Sequence, residues 1–288
     1  MLARTQQRTD GAKTSLRERF SLFRSQVQTA LGLPRGFFVQ VDYMKSINPV
    51  DSPYPEIERL CETSPYPDFL AAIDAHREVF QSFGQAPGDP VLARGMLSAL
   101  DGMATYAAVR MLKPRRIVEV GSGNSTFFLA RAVKDNGFGR VTCIDPAPRH
   151  DIAALDVDFH RRVLSPADAD FLGELNANDI LFIDSSHVML PGLDVDILFN
   201  RVFPRLKPGV AVHVHDIFLP DDYPPHWQLR NWSEQNALVG WIISGWFDIL
   251  WPGQYVLTRQ RHLLDRAAEI APIIGAGSIW LQRPNPNP

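Results

Sequence analysis

The chain has 288 residues, 45% of them hydrophobic, with 29 basic against 32 acidic side chains and a net charge of −3. That balance provides for a large core and excludes a general electrostatic bias toward nucleic acid or an anionic membrane. The two cysteines, Cys61 and Cys143, lack metal-ligand spacing and read as reduced thiols; with no apolar run of bilayer length and no secretory signal core, the expected location is the cytoplasm.

Residues 1–24 are rich in Arg, Ser and Thr with few acids, which reads as a disordered or helical extension rather than a transit peptide. Residues 34–90 are dense in proline, among them Pro49, Pro53, Pro65 and Pro87, so extended segments should break up short helices there. Residues 1–90 are therefore expected to be an extension and a cover over the core. From Met96 to Leu112, apolar residues recur at helical spacing up to Pro114. Strands and helices then alternate: strand 116–120, helix 125–135, strand 140–145, a short strand near 157–163, strand 179–184, helix 192–205 and strand 210–217. Such alternation predicts an α/β fold with a parallel sheet covered on both faces. Two short apolar strands follow, Phe247–Trp251 and Ser278–Leu281, with a helix-compatible run at Arg261–Ile270 between them.

The first strand leads into Gly121-Ser122-Gly123-Asn124-Ser125, a loop that opens a helix. Glycines there allow close approach to the main chain, and free N–H groups at the helix start favour an anion. The second strand ends in Asp145, placed to accept bonds from the two hydroxyls of a ribose. A nicotinamide dinucleotide site is disfavoured on two counts. Thr126 stands where the third glycine of that fingerprint falls, and Glu119 would sit beside the pyrophosphate. Glu119 instead suits a ligand with an amino group, such as S-adenosylmethionine.

Three motifs, Val118–Thr126, Ile180–His187 and Leu206–Val210 running into His213–Asp216, resemble the class I S-adenosylmethionine-dependent methyltransferases. They look most like a small bacterial subgroup with Asp-x-x-His after the fourth strand and His-Asp after the fifth. The resemblance covers residues 91–288 and implies a Rossmann-like, mostly parallel seven-stranded sheet with an antiparallel final hairpin and S-adenosyl-L-methionine as cofactor.

Four strands end in an acid, Glu119, Asp145, Asp184 and Asp216, and strand ends share one rim in such sheets. Glu119 and the loop Gly121, Ser122, Gly123, Asn124 and Ser125 are expected to hold the methionine part, Asp145 the ribose, and Asp168 the adenine amino group. Asp184 and Ser185 lie where the methyl group should point. For a hydroxyl acceptor the reaction needs a base, and His187, three residues past Asp184, is the candidate, with His215 and Asp216 beside it. His213, two residues from His215 on the same strand face, reads as a core residue. Some O-methyltransferases of this fold hold magnesium on acids of these two strands. His215-Asp216 in place of paired acids makes a divalent metal the less favoured alternative, with Asp184, His187 and Asp216 as its ligands.

Residues 219–236 read as a substrate cap, with Tyr223, His226, Trp227 and Trp232 as acceptor contacts. The leading reading is O-methylation of a small-molecule or saccharide hydroxyl by an enzyme that does not engage nucleic acid or membrane; a homo-oligomer is compatible with it. The competing readings are a nicotinamide-dependent oxidoreductase and a non-catalytic S-adenosylmethionine-binding module.

Overall fold

A computed structural model describes residues 53–92, 96–224 and 232–285, together with Trp227, Arg230 and scattered positions between 16 and 31. The chain divides into two compact units, Met1–Asp51 with Tyr223–Asn231 and Ser52–Asp222 with Trp232–Pro288. Most of the expected N-terminal extension lies outside the described residues, as does His226. The sheet and the glycine loop belong to the second unit.

That unit begins with three short helices, α1 (Pro55–Glu62), α2 (Tyr66–Ala75) and α3 (Arg77–Gln81). A proline occupies the first turn of α1 and of α2, where no backbone donor is lost. These helices bury Ile57, Cys61, Phe69, Ile73 and Phe80 in the common core. Residues 55–81 are thus part of the unit that contains the sheet, which begins at Ser52. Helix α4 (Ala99–Leu112) starts at Ser98, whose Oγ accepts from Asp101 N at 3.1 Å, and stops at Lys113 in the left-handed region before Pro114.

Alternating strands and helices follow: β1 (Arg116–Val120), α5 (Asn124–Asn136), β2 (Arg140–Ile144), β3 (Asp158–His160), α6 (Asp168–Gly173) and β4 (Ile180–Ile183). Next come α7 (Asp194–Ile197), β5 (Ala211–His215), α8 (Glu234–Ile243), β6 (Asp248–Pro252), α9 (Gly253–Arg259), α10 (Asp265–Ala268) and β7 (Ser278–Gln282). The helix expected over 192–205 begins as α7, widens to a π turn at Leu198–Val202 and tightens to a 3-10 turn at Phe203–Arg205. Pro204, which has no N–H to donate, sits in that last turn.

The seven strands lie in the order β3-β2-β1-β4-β5-β7-β6, parallel from β3 to β5, with β7 antiparallel to both of its neighbours. Val120 pairs with both Ile144 and Ile183, so β1, β2 and β4 end level. The residues that follow, Gly121, Asp145 and Asp184, therefore emerge side by side. No described helix is long and apolar enough to cross a membrane.

Candidate functional site

The turn out of β1 requires glycine. Gly121 has φ 83°, and a Cβ on it would lie 1.8 Å from the Asp184 carbonyl oxygen. The backbone of β1 thereby approaches the end of β4 more closely than any side chain would allow. The turn opens into a cavity of about 690 Å³, within the usual range for a small-molecule site. Gly121, Ser122, Gly123, Asn124, Ser125, Asp145, Asp184 and Ser185 all line it.

Asp145 is bound into the loop as well as facing the cavity. Its carboxylate accepts from Ser122 N at 2.6 Å, Ser122 Oγ at 3.1 Å and Ala147 N at 2.6 Å. Each carboxylate oxygen has two lone-pair sites, both taken on Oδ2 and one of them on Oδ1, so Oδ1 keeps acceptor capacity for a ligand hydroxyl.

Glu119 does not line the cavity. It is fully buried, and its carboxylate accepts from Ser125 Oγ at 2.6 Å, Thr126 Oγ1 at 2.7 Å and Cys143 Sγ at 3.2 Å. Burial pushes its pKa up to about 7, opposed by these three bonds. Asp168 is likewise taken up internally. Arg162 grips both its oxygens, at 2.6 and 2.8 Å, while Ser165 N and Oγ donate to it at 2.8 and 2.9 Å. The Arg162 bonds hold Asp168 below its ordinary pKa. Val163 and Leu164, just upstream, are the residues of this loop that face the cavity.

Behind Asp184 lies a cluster of acids and histidines. His187 Nε2 is 3.6 Å from Asp184 Oδ1 and 3.4 Å from Asp216 Oδ2. Its Nδ1 lies 2.9 Å from Glu234 Oε2, and Trp232 packs on its ring with centroids 4.2 Å apart. His215 Nδ1 is 3.4 Å from Asp184 Oδ1 and 3.6 Å from Asp216 Oδ1. Asp101 stands 4.0 Å from His215 Nε2 on the far side.

Burial alone would keep both histidines neutral, yet the carboxylates win. Glu234, Asp184 and Asp216 raise His187, and Asp184 with Asp216 raises His215 to about 10. The His215 and His187 charges overcome burial and hold Asp184 well below the usual carboxylate range, whereas burial prevails at Asp216 and Glu234 and raises them. His213 is apart from this cluster. It stacks on Phe182 at 3.7 Å, reaches Ser278 Oγ at 2.9 Å, and is kept neutral by burial and by the His215 charge.

Among the described residues one donor group is compact enough for a metal ion: Asp184, His187 and Asp216, with ligand atoms within 4.8 Å of one another. Two carboxylates and an imidazole suit a divalent transition metal better than magnesium. The Glu234 carboxylate on His187 Nδ1 matches the outer partner that metal-binding histidines carry. The residues present therefore fit such an ion.

The expected cap residues part company. Trp232 joins the cluster through His187, and Tyr223 and Trp227 belong to the other unit, where the Arg230 guanidinium lies 4.1 Å over the Trp227 ring. Glu234 carried no signal in the sequence, being 47 residues from its partner His187.

Residues 118–217, from β1 through β5, match the family model described as a methyltransferase domain. None of the curated proteins matches the sequence. Solved structures with similarity include the O-methyltransferase TomG from Streptomyces achromogenes, involved in tomaymycin synthesis and in complex with S-adenosylmethionine, at 19% identity over 80% of this chain and 99% of that one, TM-score 0.41. Another is the O-methyltransferase from Bacillus cereus in complex with S-adenosylhomocysteine, at 14% identity over 75% and 91% of the two chains, TM-score 0.41. These superpositions are loose, whereas the matched domain and the strand order describe this chain directly. The matched residues form a methyltransferase domain, set in a seven-stranded sheet that is parallel from β3 to β5.

Proposed function

We propose that this protein transfers a methyl group from S-adenosylmethionine to a hydroxyl of a small molecule or saccharide. The observation that carries the reading is the single cavity lined at once by the glycine loop, Asp145, Asp184 and Ser185. In it the N–H groups at the start of α5 receive the cofactor's carboxylate, Asp145 receives the ribose, and Val163 and Leu164 flank the adenine. Glu119 and Asp168 support this arrangement from behind, the first beneath the glycine loop and the second at the start of α6.

Methyl transfer is an in-line displacement for which the cofactor supplies the electrophile. The protein must hold the acceptor oxygen in line and remove its proton. A cluster of His187, His215, Asp184 and Asp216 beside the cavity is what a hydroxyl acceptor needs, since an alcohol is a poor nucleophile until its proton is shared. His187 is assigned as proton acceptor, with Asp184 and Asp216 orienting it. To act so it must first give up the proton that the surrounding carboxylates favour.

A second reading of proton removal is favoured by the Glu234–His187 pair. A divalent ion held by Asp184, His187 and Asp216 would take the place of that proton and lower the pKa of an acceptor hydroxyl. The test is S-adenosylhomocysteine formation over a panel of hydroxyl-bearing small molecules and saccharides, with and without chelator. Turnover that depends on a hydroxyl acceptor supports the reading; turnover confined to amine or thiol acceptors contradicts it.

A further inference from the structure

The turn that carries His187 and the start of α8 are bonded to each other in both directions. The His187 carbonyl accepts from Ser233 N at 3.0 Å and Glu234 N at 3.2 Å, satisfying amides that a helix start leaves open. In return Met189 N donates to Ser233 Oγ at 2.8 Å. Together with the Trp232 ring, these contacts hold His187 in the left-handed region at φ 62°, which residues other than glycine rarely adopt.

None of those backbone bonds requires the Glu234 carboxylate. Its side chain is fully buried, and Oε1 has no partner among the described residues. A buried carboxylate with one oxygen unpaired is costly, and an apolar or amide side chain would begin α8 at less expense. The one hydrogen bond found for that carboxylate is to His187 Nδ1, at 2.9 Å. An imidazole that donates Nδ1–H to a carboxylate has its orientation fixed and its other nitrogen turned away. Here that other nitrogen faces Asp184 and Asp216, at 3.6 and 3.4 Å.

We propose that Glu234 is a positioning residue: it keeps a proton on His187 Nδ1 and so makes Nε2 the nitrogen that works in the site. The inference rests on the role given to His187 above, and it holds whether Nε2 takes a proton or binds an ion. It assigns a task to a costly buried acid that packing does not explain.

The test is the side-chain 15N–1H spectrum of the full chain labelled at histidine, with His187 assigned by the signal lost in His187→Gln. The wild type should show a protonated, exchange-protected Nδ1 at His187. In Glu234→Gln that signal should shift or lose protection while the signal of His213, which pairs with Ser278 Oγ at 2.9 Å instead, stays in place. S-adenosylhomocysteine affinity should change less than twofold. A wild-type spectrum with Nδ1 as the unprotonated nitrogen overturns the proposal, and needs no variant to fold. A Glu234→Gln spectrum unchanged at His187 overturns it too. Absence of S-adenosylhomocysteine binding by the wild type is a different failure, that of the cofactor reading, and calorimetry on the same sample separates the two.

Discussion

Thr126 donates a 2.7 Å hydrogen bond from Oγ1 to the Glu119 carboxylate, joining the first helix after the glycine loop to the strand before it. The same Oγ1 accepts from Gly123 N at 3.0 Å. A hydroxyl thus occupies the position where a dinucleotide site would carry its third glycine, and the loop is tied down from beneath by a buried acid. Glu119 braces the glycine loop from beneath without lining the cavity.

This arrangement gives Glu119 a pH signature. Its folded pKa is raised to about 7 from an ordinary 4.5, chiefly by burial. For a raised pKa the contribution to stability is fully present below pH 4.5 and is lost as pH rises through about 7. Chemical denaturation of Glu119→Gln against wild type should show the variant gaining ground across that window, by on the order of 3 kcal/mol. Parallel pH profiles for the two proteins would contradict the assignment.

Gly121→Ala should damage both fold and binding. The added Cβ would lie 1.8 Å from the Asp184 carbonyl, so the β1–β4 junction has to move. A loss of about 1 to 3 kcal/mol or more in denaturant midpoint experiments is expected, with S-adenosylhomocysteine affinity falling alongside it. An alanine variant of wild-type stability would mean that the turn is not as close as described.

Asp145→Ala should act mainly on the ligand and on the order of the loop. It removes the acceptor for Ser122 N and Ala147 N and the proposed ribose contact in one step. Loss of a charged contact worth about 2 kcal/mol weakens binding roughly thirtyfold. Isothermal titration with S-adenosylhomocysteine measures this, and unchanged affinity would remove Asp145 from the site.

His187→Ala should lower turnover by about a hundredfold or more while leaving cofactor affinity unchanged. The chelator arm separates the two accounts of proton removal. Wild-type turnover that survives chelation assigns the proton to His187; turnover abolished by chelation and restored by a divalent ion assigns His187, Asp184 and Asp216 to that ion. Near-full turnover in the alanine variant would leave positioning alone as the catalytic contribution.

The parts of this molecule legible in the sequence are those set by local pattern. Strand-end acids at 119, 145, 184 and 216 announce a common rim, and Val120 pairing with both Ile144 and Ile183 brings three of those strand ends level. What each acid faces is decided by neighbours that spacing does not reveal. Glu119 turns to hydroxyls in the first turn of α5, and Asp168 turns to Arg162 and to Ser165, a local capping arrangement written in Ser165-Pro166-Ala167-Asp168. Glu234 was out of reach for another reason: its partner lies 47 residues away, on a different strand's loop. Helices 55–81 read as a proline-rich cover because their punctuation is visible, while the burial of Ile57, Phe69 and Phe80 against the sheet's own core is not.

A pocket built for S-adenosylmethionine rather than a dinucleotide is tested most directly by calorimetry of the full chain with S-adenosylhomocysteine and, separately, with a nicotinamide dinucleotide. Saturable one-to-one binding of the first is expected, weakened about thirtyfold in Asp145→Ala, with no binding of the second. Binding of the dinucleotide with no response to S-adenosylhomocysteine would contradict it.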